Sequence, residues 1–215
     1  MHKGEITMEK KYTALTFDDG PSIDTTPALL EILKKYNVKA SFFLVGSSMT
    51  KETVKYAEEA YAMGCELCNH SENHKGMSSL SDEEIVKEIN NTDEKIKQIT
   101  GKNTVFFRPP YIDYNNRMME LIDKIFICGD GADDWEPAVS AEERYKKIVA
   151  QVKNGSVILL HDMEGNINTV KAVEMIIPKL VEEGYEFVTM SELFEKCGVI
   201  AERNVIYSNV FNPYK

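Results

Sequence analysis

The sequence has little of what marks membrane proteins, disulfide scaffolds and nucleic-acid-binding proteins. No apolar run approaches the roughly 18 residues that a membrane-spanning helix needs. Four cysteines in 215 residues are too few for a disulfide framework, and a chain of this length can bury enough apolar surface without one. Lysine and arginine are scarce relative to the acidic residues, and the net charge of −10 disfavours nucleic acid and anionic membranes as partners. Neutral polymers are compatible with this charge.

The first residues of the sequence do not resemble a targeting segment. Met1 to Glu5 lack the apolar core of a signal peptide. We therefore expect a cytoplasmic protein, or a secreted or cell-surface one if a leader or anchor precedes this sequence in a longer chain. The length predicts a single domain, which we place at residues 12–198, between an N-terminal extension (1–11) and an irregular C-terminal tail (199–215). No feature of the sequence indicates an oligomeric state.

Strand-like and helix-like segments alternate along the chain, which is typical of a parallel sheet covered by helices. The predicted strands are residues 12–17, 39–45, 65–68, 104–107, 125–128, 156–160 and 186–189. Seven strand–helix units predict a distorted (β/α) barrel, because a regular barrel has eight. An open, doubly wound sheet is the alternative.

Polar side chains collect where the predicted strands end, and in a parallel sheet these ends share one edge, where active sites are built. The residues are Asp18 and Asp19 after the first strand, His70 and His74 after the third, Arg108 and Tyr111 after the fourth, Asp130, Asp134 and Trp135 after the fifth, and His161 and Asp162 after the sixth. Three of the four histidines fall there, which favours a functional cluster over solvated turns.

Asp18 and Asp19 follow a buried strand and precede a Gly-Pro turn. Two adjacent carboxylates imply a nearby cation, a shared proton or full solvation. His70 and His74 form an H-x-x-x-H, and on a turn of helix this spacing puts both imidazoles on one face, a common divalent-metal arrangement. One aspartate oxygen and two histidine nitrogens would leave positions open for water and substrate, as a catalytic metal requires.

A rival metal site is a Cys2His2 zinc site that joins Cys65 and Cys68 to the same two histidines. We disfavour it because residues 65–68 read as a strand, in which positions three apart point to opposite faces. A domain of this size also needs no structural zinc.

Arg108, His161 and Trp135 each have a structural and a functional interpretation. Arg108 precedes two prolines that fix its backbone, so it either forms a structural ion pair or aims a catalytic carboxylate. His161 ends a buried strand and is either a core polar group or a general acid; the histidine pair on the facing loop favours the acid. Trp135 either closes the end of the barrel or forms an apolar wall beside His161.

Five motifs occur in order between about Tyr12 and Leu193. They are Thr-Phe-Asp-Asp-Gly, His-Ser-x-x-His, Arg-Pro-Pro-Tyr, Asp-Trp and Leu-x-His. Together they resemble the polysaccharide deacetylase family, carbohydrate esterase family four, with its peptidoglycan and chitin deacetylases and its acetylxylan esterases. The resemblance implies a distorted seven-unit (β/α) barrel that removes acetyl groups from sugars with a divalent metal, commonly zinc, with cobalt, manganese or nickel as alternatives.

The resemblance also implies roles for individual residues. These are Asp18 as catalytic base, Arg108 as the residue that orients it, Asp19, His70 and His74 as metal ligands, the Tyr111 backbone N–H as an oxyanion donor, Leu159 as part of the acetyl pocket and His161 as general acid. Two positions depart from the family pattern. Ile112 stands where a glycine is usual, and Gly131 stands where an aspartate often holds the acid histidine. We therefore predict that Asp130, one position earlier, holds His161, with Asp134 as the alternative.

The function implied is metal-dependent deacetylation of an N-acetylglucosamine polymer such as peptidoglycan or a chitin-like chain. One alternative is an esterase that removes O-acetyl groups from xylan at the same site. A cyclic amide or imide hydrolase on this scaffold and an inactive carbohydrate-binding remnant are further alternatives.

Overall fold

A curled, mostly parallel sheet runs through the computed structural model, which describes residues 10–214. Its strands are β1 (Lys11–Asp18), β2 (Ser41–Leu44), β3 (Glu66–Asn69), β4 (Phe106–Phe107), β5 (Ile125–Ile127), β6 (Ser156–His161), β7 (Tyr185–Val188), β8 (Ile206–Tyr207) and β9 (Pro213–Tyr214). The helices are α1 (Thr25–Tyr36), α2 (Val54–Ala62), α3 (Asp82–Thr100), α4 (Asn116–Leu121), α5 (Ala141–Gln151), α6 (Ile167–Glu182) and α7 (Met190–Lys196). The predicted extension over residues 1–11 lies largely outside the described residues, and β1 already begins at Lys11.

The strands follow the order β6-β1-β2-β3-β4-β5-β8-β9, and β7 pairs with the first half of β1. All pairs are parallel except β8 with β9. The chain after β5 also pairs with β6, because the Asp130 N–H donates to the Val157 carbonyl (2.7 Å) and the Leu159 N–H donates to the Asp130 carbonyl (3.1 Å). The sheet therefore closes on itself. The distorted (β/α) barrel is confirmed over the open doubly wound sheet.

Apolar residues cover both faces of the sheet, as a parallel sheet with helical crossovers requires. Leu15 and Phe17 on β1 belong to the larger core, which lies against α1 and α6. Ala14, which precedes Leu15 and points to the opposite face of β1, packs with Phe43 and Val157 in a second core. Alternate residues of one strand thus serve two cores.

A capping box precedes three of the described helices. The side chain of the residue directly before the helix and that of a glutamate three positions later each accept a hydrogen bond from the other's backbone N–H. The pairs are Ser81 with Glu84, Ser140 with Glu143 and Thr189 with Glu192. These local signals set where α3, α5 and α7 start.

Among residues 10–214, no helix combines the length and the apolar character needed to cross a bilayer.

The prediction of an irregular C-terminal tail is wrong for two segments. β8 pairs parallel with β5, and β9 pairs antiparallel with β8. The Val157 N–H donates to the Ser208 carbonyl at 2.9 Å, so this part of the chain fills the gap between β5 and β6. Strands of two residues are too short to show the alternation from which a strand is predicted.

We expect the tail to stabilise the barrel, and two isoleucines in it allow a matched test. Ile206 is 2% exposed and packs with Phe126 and Met118, whereas Ile200 is 89% exposed. Ile206→Ala should lower the free energy of unfolding by about 2–5 kcal/mol because it leaves a cavity. Ile200→Ala should change it by less than about 0.5 kcal/mol. Chemical denaturation measures both, and equal losses would contradict a structural role for β8.

Candidate active site

The carboxyl ends of the strands surround a cavity of about 440 Å³. It is lined by Asp18, Asp19, His70, His74, Pro109, Tyr111, Ile112, Trp135, Leu159 and His161. The register places two of these residues side by side, because Asp18 at the end of β1 pairs with His161 at the end of β6. The structure therefore brings together nearly all the residues that the sequence singled out, and Arg108 lies buried beneath them.

Asp19, His70 and His74 converge at one side of this cavity. Asp19 has a φ of +78°, which turns the chain sharply after β1. Its Oδ1 lies 3.1 Å from His74 Nε2 and 3.4 Å from His70 Nε2. This oxygen is buried and accepts no hydrogen bond from any residue in the described part of the chain. A buried carboxylate oxygen without a donor, facing two ring nitrogens, fits a divalent cation.

The protonation of these residues suits metal binding. His70 Nδ1 lies 2.7 Å from the Arg108 carbonyl, which can only accept, so Nδ1 carries the hydrogen and Nε2 is free to bind a cation. Burial, followed by the charge of His70, lowers the pKa of His74 and favours its neutral form. Burial raises the pKa of Asp19, but His70, His161 and His74 together outweigh it and bring the pKa to about 2.

The H-x-x-x-H lies in a loop and does not form a turn of helix. Ser71 and His74 both have positive φ, and the loop that carries them is irregular. α3 holds this loop instead: Glu88 accepts from the backbone N–H of Asn73 at 2.7 Å and from its side-chain amide at 2.8 Å. Lys95, also on α3, donates to Glu72 at 2.6 Å. The two imidazoles therefore meet through tertiary contacts rather than through helical periodicity.

Asp18 forms a buried ion pair with Arg108, through Oδ1 and Nη1. The guanidinium is itself fixed, since Nε and Nη2 donate to the Cys128 carbonyl at 3.1 and 2.5 Å and the group stacks 4.1 Å above the ring of Phe43. The second oxygen of Asp18 lies 3.8 Å from His70 Nε2. The ion pair thus holds one oxygen and leaves the other beside the cluster of Asp19, His70 and His74.

His161 is held by Asp134. Its Nδ1 lies 2.7 Å from Asp134 Oδ1, and its backbone N–H donates to Asp134 Oδ2 at 2.8 Å. Burial lowers the pKa of His161, but the hydrogen bond and charge of Asp134, with the charges of Asp18 and Asp19, raise it to about 9. His161 is therefore a protonated imidazole at neutral pH in this environment.

The prediction that Asp130 holds His161 is wrong. Asp130 pairs through its backbone with Ile158, three positions before His161, which places it about 10 Å away along the strand. Its carboxylate lies near Ser156 and Lys153, and burial raises its pKa. The carboxylate that holds His161 is that of Asp134, directly before Trp135, which is the alternative prediction. Counting four positions back from Trp135 points instead to Gly131 and its neighbour Asp130.

Trp135 is 48% exposed, and its ring lies nearly perpendicular to that of His161, with 5.6 Å between ring centroids. This favours the apolar wall over the core tryptophan. Leu159 is buried in the cavity wall, and Gly129 packs closely behind it: a Cβ on Gly129 would lie 2.6 Å from Leu159 Cβ.

Tyr111 and Ile112 continue the wall with φ values of +59° and +52°. The left-handed region suits glycine, so the position that Ile112 occupies is one where a β-branched residue is strained. The Tyr111 ring is exposed and lies 4.6 Å from the His74 ring, centroid to centroid.

The rival zinc site is not formed. Cys65 and Cys68 belong to different cores on opposite sides of β3, as strand alternation requires. Within residues 10–214, the one group of three or more histidine, cysteine, aspartate or glutamate residues arranged to hold a metal is Asp19, His70 and His74.

The contact between Asp134 and His161 gives a testable prediction about proton affinity. Asp134→Asn should lower the pKa of His161, because it removes the hydrogen bond and the charge that raise this pKa and leaves the opposing effect of burial. Asp130→Asn is the matched control and should leave it unchanged. NMR titration of the histidine ring protons measures both variants. A larger shift in Asp130→Asn would contradict the assignment.

Comparison with known proteins shows which family shares this arrangement. The family model for polysaccharide deacetylases matches residues 5–125. A bifunctional xylanase/deacetylase of Pseudobutyrivibrio xylanivorans is 45% identical over 97% of this chain, which covers 35% of that protein. The peptidoglycan-N-acetylglucosamine deacetylase PgdA of Listeria monocytogenes is 35% identical over 86% of this chain, which covers 39% of that protein. The chain thus spans well under half the length of these two curated relatives.

Two solved structures resemble the whole barrel. The Xyl-CE4 domain of a multidomain xylanase from the hindgut metagenome of Trinervitermes trinervoides is 44% identical, with a TM-score of 0.91 over 94% of this chain and 99% of that one. A family 4 acetyl xylan esterase from Clostridium thermocellum, in complex with a cobalt ion, is 38% identical, with a TM-score of 0.89 over 93% of this chain and 99% of that one. With the family model, these similarities establish that the chain belongs to the polysaccharide deacetylase family.

Proposed function

We propose that this chain hydrolyses acetyl groups on a polysaccharide with one divalent metal ion held by Asp19, His70 and His74. The observation that carries the proposal is the meeting of three parts in one cavity. They are the metal-binding cluster, the Asp18 carboxylate fixed by Arg108 and the His161 imidazole held by Asp134. Hydrolysis of an acyl group needs an activated water, a base and an acid, and each part supplies one of these.

A carboxylate with two imidazoles is a donor set typical of catalytic zinc, so we propose zinc, with cobalt, manganese or nickel as alternatives. The bound ion would polarise the acetyl carbonyl and make its water more acidic. The chain's own part is to supply three ligands with free lone pairs, and the hydrogen bond from His70 Nδ1 to the Arg108 carbonyl orients one of them.

Asp18 acts as the general base in this proposal. Its second oxygen faces the cluster of metal ligands, so it can take the proton of a water that enters there. Arg108 keeps the carboxylate from rotating, because it is itself held by the Cys128 carbonyl and the Phe43 ring. The Tyr111 backbone N–H would donate to the oxyanion that forms when the acetyl carbonyl is attacked.

His161 acts as the general acid. Asp134 favours its protonated form, and the Nε2 hydrogen is available for the leaving oxygen or nitrogen because Nδ1 is bound to Asp134. Trp135 and Leu159 would form the apolar walls of the pocket that receives the acetyl methyl group.

Two substrate classes fit this site. We place acetylated xylan first, because the proteins whose names refer to xylan are more similar to this chain. The bifunctional xylanase/deacetylase, the Xyl-CE4 domain and the acetyl xylan esterase are 45%, 44% and 38% identical, against 35% for the Listeria deacetylase. N-acetylglucosamine polymers, first by sequence alone, come second. The observation in their favour is the Asp134–His161 pair, since a leaving amine requires a well-placed acid. Acetylated xylan and chitin-like chains are neutral polymers, which suits a net charge of −10. Such polymers lie outside the cytoplasm, so we propose a cell-surface or secreted location.

The proposal predicts that acetate is released faster from acetylxylan than from chitopentaose, by tenfold or more in kcat/KM, at the same pH with the same metal. His74→Ala is the control, because it removes a ligand. A reversed ratio would establish the N-acetylglucosamine polymer as the substrate. No release from either polymer by the metal-loaded protein would contradict deacetylation, and sugar binding without release would favour the binding remnant.

A further inference from the structure

Arg144, at the start of α5, is a buried cation whose hydrogen bonds all go to uncharged acceptors. Its Nη1 donates to Asn166 Oδ1 at 2.5 Å and to Thr169 Oγ1 at 2.8 Å. A buried charge is costly unless another charge compensates it. The charge that acts on Arg144 is that of Asp134, which is fully buried and lies on the far side of the Thr169 hydroxyl.

The direction of the hydrogen bonds in this chain of residues is fixed. A guanidinium can only donate, so Thr169 Oγ1 accepts from Arg144. The single hydroxyl hydrogen of Thr169 is then free to donate to Asp134 Oδ2, 2.7 Å away. Oδ2 also accepts from the His161 backbone N–H at 2.8 Å and from the Asn166 side-chain amide at 3.4 Å, and Oδ1 faces His161 Nδ1. The arrangement selects one orientation of the Asp134 carboxylate.

Arg144 also fixes the loop on which Asp134 stands. It donates to the carbonyls of Glu136 and Val139, just after Trp135, at 3.1 and 3.0 Å. Asn166, which accepts from Arg144, donates its own amide to the His161 carbonyl at 3.0 Å. One buried guanidinium thus connects the loop after β5, the start of α6 and the end of β6.

We propose that Arg144, acting through Thr169 and Asn166, is a positioning residue that fixes the Asp134 carboxylate and thereby the orientation of the His161 imidazole. This inference rests on the proposed function in one respect, namely that His161 is the acid of the reaction. The positioning itself is a property of the folded chain and can be observed without substrate.

Thr169 offers the sharpest test, because its hydroxyl and its methyl group can be removed separately. Thr169→Val keeps the shape and removes the hydroxyl, whereas Thr169→Ser keeps the hydroxyl and removes the methyl group. Arg144→Met removes the guanidinium, Arg144→Lys retains a cation, and Arg203→Met is a control at an exposed arginine that pairs with Asp123. If Arg144→Met fails to fold, the threonine pair still decides.

The first measurement is the ring N–H proton of His161, which a hydrogen bond to a carboxylate shifts far downfield in the NMR spectrum and which Asp134→Asn identifies by its loss. We expect Thr169→Val and Arg144→Met to broaden or remove this signal. Thr169→Ser and Arg203→Met should retain it, and Arg144→Lys should be intermediate. An unchanged signal in Thr169→Val, or its loss in Thr169→Ser alone, would show that packing rather than hydrogen bonding matters and would overturn the proposal.

The second measurement is turnover. Thr169→Val should lower kcat on the order of tenfold with little change in KM, because it removes a hydrogen bond to a charged group that acts on the acid and not on substrate binding. Thr169→Ser, which keeps the hydroxyl, should have a kcat close to that of the wild type. A change in KM alone would contradict the inference. If the wild type releases no acetate while the NMR signals behave as expected, the proposed function fails and the positioning role stands.

Discussion

The parallel pairing of β1 with β6 is the constraint on which the site depends. It places Asp18 beside His161 at the same edge of the sheet. The pairing of β1 with β2 then places Phe43 next to Asp18 on the other side, where the Phe43 ring supports the guanidinium of Arg108. A shift of β1 by one residue would turn Asp18 to the opposite face and separate its carboxylate from His161.

Asp18 and His161, the proposed base and acid, are each held by a separate buried partner of opposite charge. Arg108 holds Asp18, and Asp134 holds His161. Each partner is fixed in turn, Arg108 by a backbone carbonyl and an aromatic ring, and Asp134 by a hydroxyl and a backbone N–H. The two pairs share no residue, but they are coupled across the cavity, because the charge of Asp18 also raises the pKa of His161.

Much of this could be predicted from sequence because it depends on the ends of strands. Asp18, Asp19 and His161 directly follow apolar runs, so the barrel brings them together once the strands are recognised. Asp134 lies in an irregular loop, where sequence distance does not give spatial distance, so the spacing from Trp135 points to Asp130 instead. Nothing in the sequence marks Arg144 and Thr169 as part of the site, because both read as ordinary helix residues. Only tertiary packing buries them near Asp134.

The division of labour between the two adjacent aspartates is the central claim, and metal content measured together with turnover tests it most directly. Asp18→Asn should retain about one metal ion per chain, because Asp19, His70 and His74 are intact, yet lose on the order of 10²–10⁴ in kcat. Asp19→Asn should lose affinity for the metal itself. An Asp18→Asn protein that binds metal and turns over normally, or one that loses its metal as Asp19→Asn does, would contradict the account.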